Sequence, residues 1–160
     1  MKNLIVMIAC GLLVGCDYTV PLVKTPAREI DSAAIGLWQG QQDENLLVLP
    51  LSKVEYLVSL PAGSKDALFA RACACSSSDN SLVQLEWFGT AKGKLPDGDG
   101  RIFQFAQYVI TADTLSIRML NPEVVKNTVK TSKELAKAIH DNHDNPNLFK
   151  SATVYKKVKD

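Results

Sequence analysis

IFQFAQYVITADTLSIRM, residues 102–119, holds two strands and the turn between them. Leu115, Ile117 and Met119 alternate with Thr114, Ser116 and Arg118, and this period of two places one set on each face of a strand. Ala112-Asp113 marks a turn back to the run Ile102 to Thr111, so the pair reads as an antiparallel hairpin. The same period recurs upstream. Val54, Tyr56, Val58 and Leu60 alternate with Glu55, Leu57 and Ser59, and Val83, Leu85 and Trp87 alternate with Gln84 and Glu86. Leu46 to Leu51 and Leu68 to Ala74 add two further strands to a sheet with one face on a core.

Downstream of residue 120 the period changes. Asn121-Pro122 has the form of an N-cap followed by a first helical residue, and Val124, Val125 and Thr128 recur at helical spacing, which predicts a short helix there. Thr131 to Glu134 is a T-x-x-E capping box, a helix start in which each end satisfies a free N–H of the other. Leu135, Ala138 and Ile139 then form one apolar stripe. Asn145-Pro146-Asn147 ends the helix, and Ala152 to Val158 reads as a last strand. Because antiparallel strands escape exposed edges by closing on themselves, the expectation is a mainly β (α+β) fold. It is an antiparallel barrel or sandwich with a C-terminal helix and a closing strand, one domain over residues 33–160.

Gly36-Leu37-Trp38 at the start of that domain resembles the G-x-W of lipocalins, whose barrel also ends in a helix and a final strand. The resemblance implies a lipocalin-like barrel, with the tryptophan packed at its base and a cavity for a small hydrophobic ligand. A wider set of residues, GLWQG at 36–40, Tyr108-Val109-Ile110 with Asp113 to Ile117, Thr131 to Leu135, Asn147 to Lys150 and Tyr155 to Val158, is similar to a broad group of small uncharacterised bacterial lipoproteins. That group carries no activity to transfer.

The first line of the chain points the same way. Lys2 is a positive n-region, and Leu4 to Val14 form an apolar stretch of the ~7–15 residues typical of an export signal, short of the ~20 that span a bilayer. Leu13-Val14-Gly15-Cys16 resembles the lipobox of bacterial lipoproteins, in which the cysteine is acylated and becomes the first residue after cleavage. Met7-Ile8-Ala9-Cys10 has a similar form, but cutting there leaves an apolar stretch of only about six residues. Residues 1–15 are therefore read as a lipoprotein signal peptide and Cys16 as the lipidated residue. Two or three acyl chains, at about 0.8 kcal/mol per buried methylene, make the anchor effectively permanent. Asp17 next to the lipidated cysteine resembles the sorting residue that retains lipoproteins on the periplasmic face of the inner membrane rather than the outer one. Residues 16–32, with Pro21, Pro26 and no periodicity, read as a flexible tether between lipid and domain.

Charge excludes other partners. The full chain of 160 residues has a formal charge of +1, and loss of residues 1–15 removes Lys2 and no acid, leaving 17 basic and 17 acidic side chains. A neutral chain has no electrostatic footprint for nucleic acid, and no polybasic run for anionic lipid stands out.

Few residues carry chemistry. Cys73 and Cys75 fall two apart in a strand, with both sulfurs on one face, and an oxidising compartment makes them a candidate disulfide. Such neighbours sit about 7 Å apart at Cα, the outer limit for a bridge, so pairing needs a bend, which Ser76 to Asn80 could supply. Inert thiols and a redox pair are the alternatives. His140 and His143 share a helix face and are weak metal candidates, without a third ligand in the pattern and at a helix end that favours histidine for its charge. Asp97-Gly98-Asp99-Gly100 resembles the start of a calcium loop but lacks its closing acids, and reads as a hairpin turn. No G-x-S-x-G, P-loop or H-E-x-x-H occurs, so no catalytic residue and no cofactor is assigned. Three functions follow, in order: a membrane-anchored protein that binds an envelope partner as an accessory, inhibitor or immunity factor; a carrier of a small hydrophobic ligand; and a redox or metal-dependent envelope enzyme.

Metabolic labelling with a palmitate analogue tests the anchor. Label is expected in the wild type and in Cys10→Ser, and is lost in Cys16→Ser; retention of label in Cys16→Ser would refute the assignment.

Overall fold

A computed structural model describes residues 17–75, 82–95 and 102–159. The signal peptide, Cys10, Cys16, the serine-rich stretch 76–80 and the 97–100 turn lie outside the described residues. The alternating runs form strands β1 (Gly36–Gln39), β2 (Leu46–Pro50), β3 (Tyr56–Leu60), β4 (Leu68–Ala74), β5 (Leu82–Thr90), β6 (Gly93–Lys94), β7 (Phe103–Thr111), β8 (Thr114–Met119) and β9 (Thr153–Lys157). All pair antiparallel. Each barrel strand pairs with the next one in the chain, β7 follows β5, and β9 returns to β1, which closes an eight-stranded up-and-down barrel. β6 pairs outside this ring with the end of β5.

Alternation sorts the side chains into two cores. Trp38, Leu46, Val48, Tyr56, Val58, Ala70, Ala72, Trp87, Leu115 and Tyr155 fill the barrel. Trp38 is fully buried, its Nε1 donates to the carbonyl of Ala34 at 2.9 Å, and the Lys157 ammonium lies 5.1 Å above its ring. The chain leaves β1 through Gly40, where an added Cβ would stand 2.4 Å from the Glu44 carbonyl oxygen and 2.8 Å from the Tyr155 ring.

The opposite faces of β5 and β7 carry a second core, in which Leu82 and Phe105 meet Cys75, Leu120, Val125, Leu135, Leu148 and Tyr18. Helix α1 (Ser132–Asp141) presses Leu135 into it. Its capping box forms as expected: the Glu134 N–H donates to Thr131 Oγ1 at 3.1 Å, and the Thr131 N–H donates to the Glu134 carboxylate at 3.2 Å.

Two expectations need correction. Residues 121–130 form turns, not a helix: the Val124 and Val125 N–H groups both return to the Asn121 carbonyl, and the ladder stops there. Val124, Val125, Thr128 and Val129 are β-branched and lower helix propensity, and the Val125 carbonyl accepts from the Tyr18 hydroxyl at 2.7 Å instead of serving a helix.

Residues 17–31 are a strap, not a free tether. Tyr18 is 0% exposed and pairs with Phe103 through bonds of 2.7 and 3.1 Å, with its ring edge-on to Phe105. Further on, the N–H groups of Leu22 and Val23 donate to Gln84 Oε1 at 2.7 and 2.8 Å, and Gln84 Nε2 donates to the Val23 carbonyl. The buried amide of Gln84 thus supplies, side chain to backbone, the pairing that an irregular segment cannot get from a ladder.

Trp38→Ala is expected to lower unfolding free energy by about 3–5 kcal/mol in a urea titration. A loss under about 1 kcal/mol would show that the tryptophan does not hold the barrel end.

Candidate functional site

Two features of the barrel could receive another molecule. The first lies inside. Between the aromatic side chains remains a cavity of about 110 Å³, lined almost wholly by carbon from residues such as Val58, Leu85, Trp87, Ala106 and Ile117. An apolar cavity of roughly 150 Å³ takes up benzene, so this one suits an occupant of that size or less. Trp87, on its wall, has a buried Nε1 with no hydrogen-bond partner, a donor whose desolvation nothing on the protein offsets.

A tyrosine pair also lines the cavity. The Asp31 N–H donates to the Tyr56 hydroxyl at 2.5 Å, and the Tyr108 hydroxyl is in hydrogen-bonding reach of Tyr56 and of the Asp31 carboxylate. Burial raises the pKa of both phenols, and for Tyr108 the neighbouring Tyr56 and Asp31 charges push it further. Burial likewise pushes Tyr155 up to about 12. These hydroxyls are neutral donors, unsuited to act as bases near neutral pH.

The second feature lies outside. β2 and β3 read LLVLP and YLVSL, near-continuous apolar runs that suit strands covered on both faces. Their inner faces are covered by the barrel core. On the outside Leu47, Leu49, Leu57, Ser59 and Phe69 line a groove of about 300 Å³, bounded by Gly63, Ser64, Ala67 and Ala91. Cross-strand register sets Leu37 opposite Leu47, Leu49 opposite Leu57 and Ser59 opposite Phe69, so the apolar surface runs across four strands. Leu49 is 39% exposed; on β5, beyond the groove, Phe88 is 48% exposed with the Arg71 guanidinium 6.0 Å above its ring. The strap and α1 cover the other outer face, over β5 and β7.

The residues singled out in the sequence do not converge. Asp17 accepts a 2.5 Å hydrogen bond from Gln104 Nε2 and sits against the barrel rather than on a free linker. Cys73 and Cys75 are free thiols, both buried. Burial raises Cys73 to about 11, helped by the charges of Glu55 and Glu86, and raises Cys75 to about 12. Such thiols are poor nucleophiles. The His140 and His143 rings stack 5.6 Å apart on the exposed end of α1, and His143 reaches Asp144 at 3.1 Å. Among the described residues no group of three or more His, Cys, Asp or Glu is placed to hold a metal ion.

Sequence reasoning missed Gln84 and Gln104, the two buried amides that hold the strap. The signal was present: a glutamine in an otherwise apolar strand, as at Gln104 between Phe103 and Phe105, needs a partner when buried. No family model matches this chain, and no curated protein or solved structure is significantly similar to it.

The raised thiols have a pH consequence. From the ordinary thiol value of 9.0 upward the unfolded chain loses these protons while the fold retains them to about 11 and 12. The native state then binds more protons, so their contribution to stability, full below 9.0, is lost as pH rises through that window. Urea midpoints are expected to fall between pH 9 and 11 in the wild type and less steeply in a Cys73→Ala, Cys75→Ala double variant. Identical slopes would refute it.

Proposed function

We propose that this protein is a bacterial envelope lipoprotein, anchored through acylated Cys16 on the periplasmic side of the membrane, that acts by binding another envelope protein. The observation that carries the reading is the partly exposed apolar groove over β2, β3 and β4. Exposed contiguous apolar surface costs solubility unless a partner covers it, and aromatic and leucine side chains ringed by polar loops are the composition of a docking site. Arg71 over Phe88 adds an arginine and an aromatic of the kind that dominates interface energetics. The lipobox resemblance supports the anchor, and Asp17 supports the inner membrane. Buried, raised thiols and neutral phenols favour binding over catalysis.

A photo-crosslinking amino acid placed at Leu49 or Leu57 in living cells is expected to yield one adduct of reproducible mass. The same probe at exposed Lys137 should yield none, and Phe88→Glu should remove the Leu49 adduct. Adducts equally abundant at all three positions, or at none, would overturn the assignment of this face.

The interior cavity favours a second reading, carriage of a small hydrophobic ligand of no more than benzene size that offers an acceptor to the Trp87 indole. Absence of any bound small molecule in native mass spectrometry of protein extracted from membranes would remove it.

A further inference from the structure

The strap leaves no room for a spacer. Tyr18 is bonded through both backbone groups to Phe103 and through its hydroxyl to Val125, and the Asp17 carboxylate is held by Gln104. Cys16 is the next residue in sequence, so an acyl chain on it starts with no spacer residues before the gripped strap. An acyl chain on Cys16 must enter hydrocarbon, and the part of the fold that grips Tyr18 must then lie at the headgroups.

That part is residues 121–130 and the start of α1. Val125 carries the Tyr18 hydroxyl, and Lys126 is the residue beside it. Lys126, Lys130 and Lys133 are all exposed, spaced four and three apart. Lys137 is paired with Asp141 on α1, which leaves Lys126, Lys130 and Lys133 against Glu123 and Glu134, the latter holding the Lys130 and Thr131 N–H groups. The lysines do not form a run in sequence: Lys126 and Lys130 lie in the turns at 121–130 that carry Val125, and Lys133 lies in the first turn of α1, whose Leu135 enters the second core.

We propose that this lysine-bearing face lies flat against an anionic lipid bilayer, so that the barrel is seated on the membrane instead of suspended from it. The inference rests on acylation of Cys16. Lysines near an anionic surface are attracted within a Debye length, and an anchor without a spacer keeps them inside that distance. Loss of the spacer also fixes orientation. The β7–β8 turn at Asp113 is the far end of the strand whose first residue pairs with Tyr18, about 26 Å further along at ~3.3 Å per residue.

The test uses the full-length acylated protein in vesicles of phosphatidylethanolamine and phosphatidylglycerol doped with nitroxide-headgroup lipid. A fluorophore goes on Thr128→Cys or on Asp113→Cys, and mass spectrometry of the same sample reports acylation of Cys16. Quenching at 128 is expected to exceed that at 113 several-fold. It should drop toward the 113 level in the Lys126→Glu, Lys130→Glu variant, and when phosphatidylcholine replaces phosphatidylglycerol. Equal quenching at the two positions with Cys16 acylated overturns the seating alone, as does quenching at 128 that ignores the charge changes. An unacylated Cys16 overturns the lipoprotein reading and the seating together.

Discussion

Closure of the barrel by β1 and β9 is the constraint on which the rest depends. Only two residue pairs make it, Trp38 with Lys157 and Gln39 with Lys156, extended by the Val158 N–H on the Leu37 carbonyl at 2.9 Å. Without it β1 and β9 would be open edges, each a row of unsatisfied backbone groups. With it, eight strands enclose a volume that side chains can nearly fill, as rings of this size do. The seam is braced from inside, where Lys157 lies over the Trp38 ring and its ammonium donates to the Ala33 carbonyl at 3.3 Å.

A closed ring of short strands has an inner and an outer face, and this chain makes both apolar over much of its circumference. The two outer halves are treated differently. Over β5 and β7 the fold covers itself with the strap and α1; Gln84 provides the hydrogen bonds that let irregular backbone lie on a sheet, and Gln104 holds the Asp17 carboxylate. Over β2 and β3 the cover is incomplete, and Leu47, Leu49 and Leu57 keep part of their surface in solvent. This asymmetry is the basis for proposing a partner over β2 and β3.

The strands were legible because alternation is a local property, and β4 and β8 have the predicted ends. The capping box at Thr131 was legible for the same reason: three residues suffice to form it. The segment 121–130 was misread since its spacing matched a helix while its β-branched residues did not, and the Tyr18 hydroxyl decided the contest from over a hundred residues away. The strap was misread for a related cause. Prolines and missing periodicity describe a chain without a ladder, which holds equally for a free linker and for one stitched down by side chains.

By itself, then, the sequence determined every strand but β1 and β6, the closing strand β9 among them, and the helix start, all of which follow from neighbours within a few positions. Only the tertiary structure decided that β1 meets β9, that Cys73 and Cys75 are buried with their protons held tightly, and that residue 17 is already part of the barrel. It also decided that Leu47, Leu49 and Leu57 on the outer faces of β2 and β3 keep part of their surface in solvent. Burial and long-range pairing depend on where the ring closes, and no local pattern encodes which half of its outer surface the rest of the chain will reach.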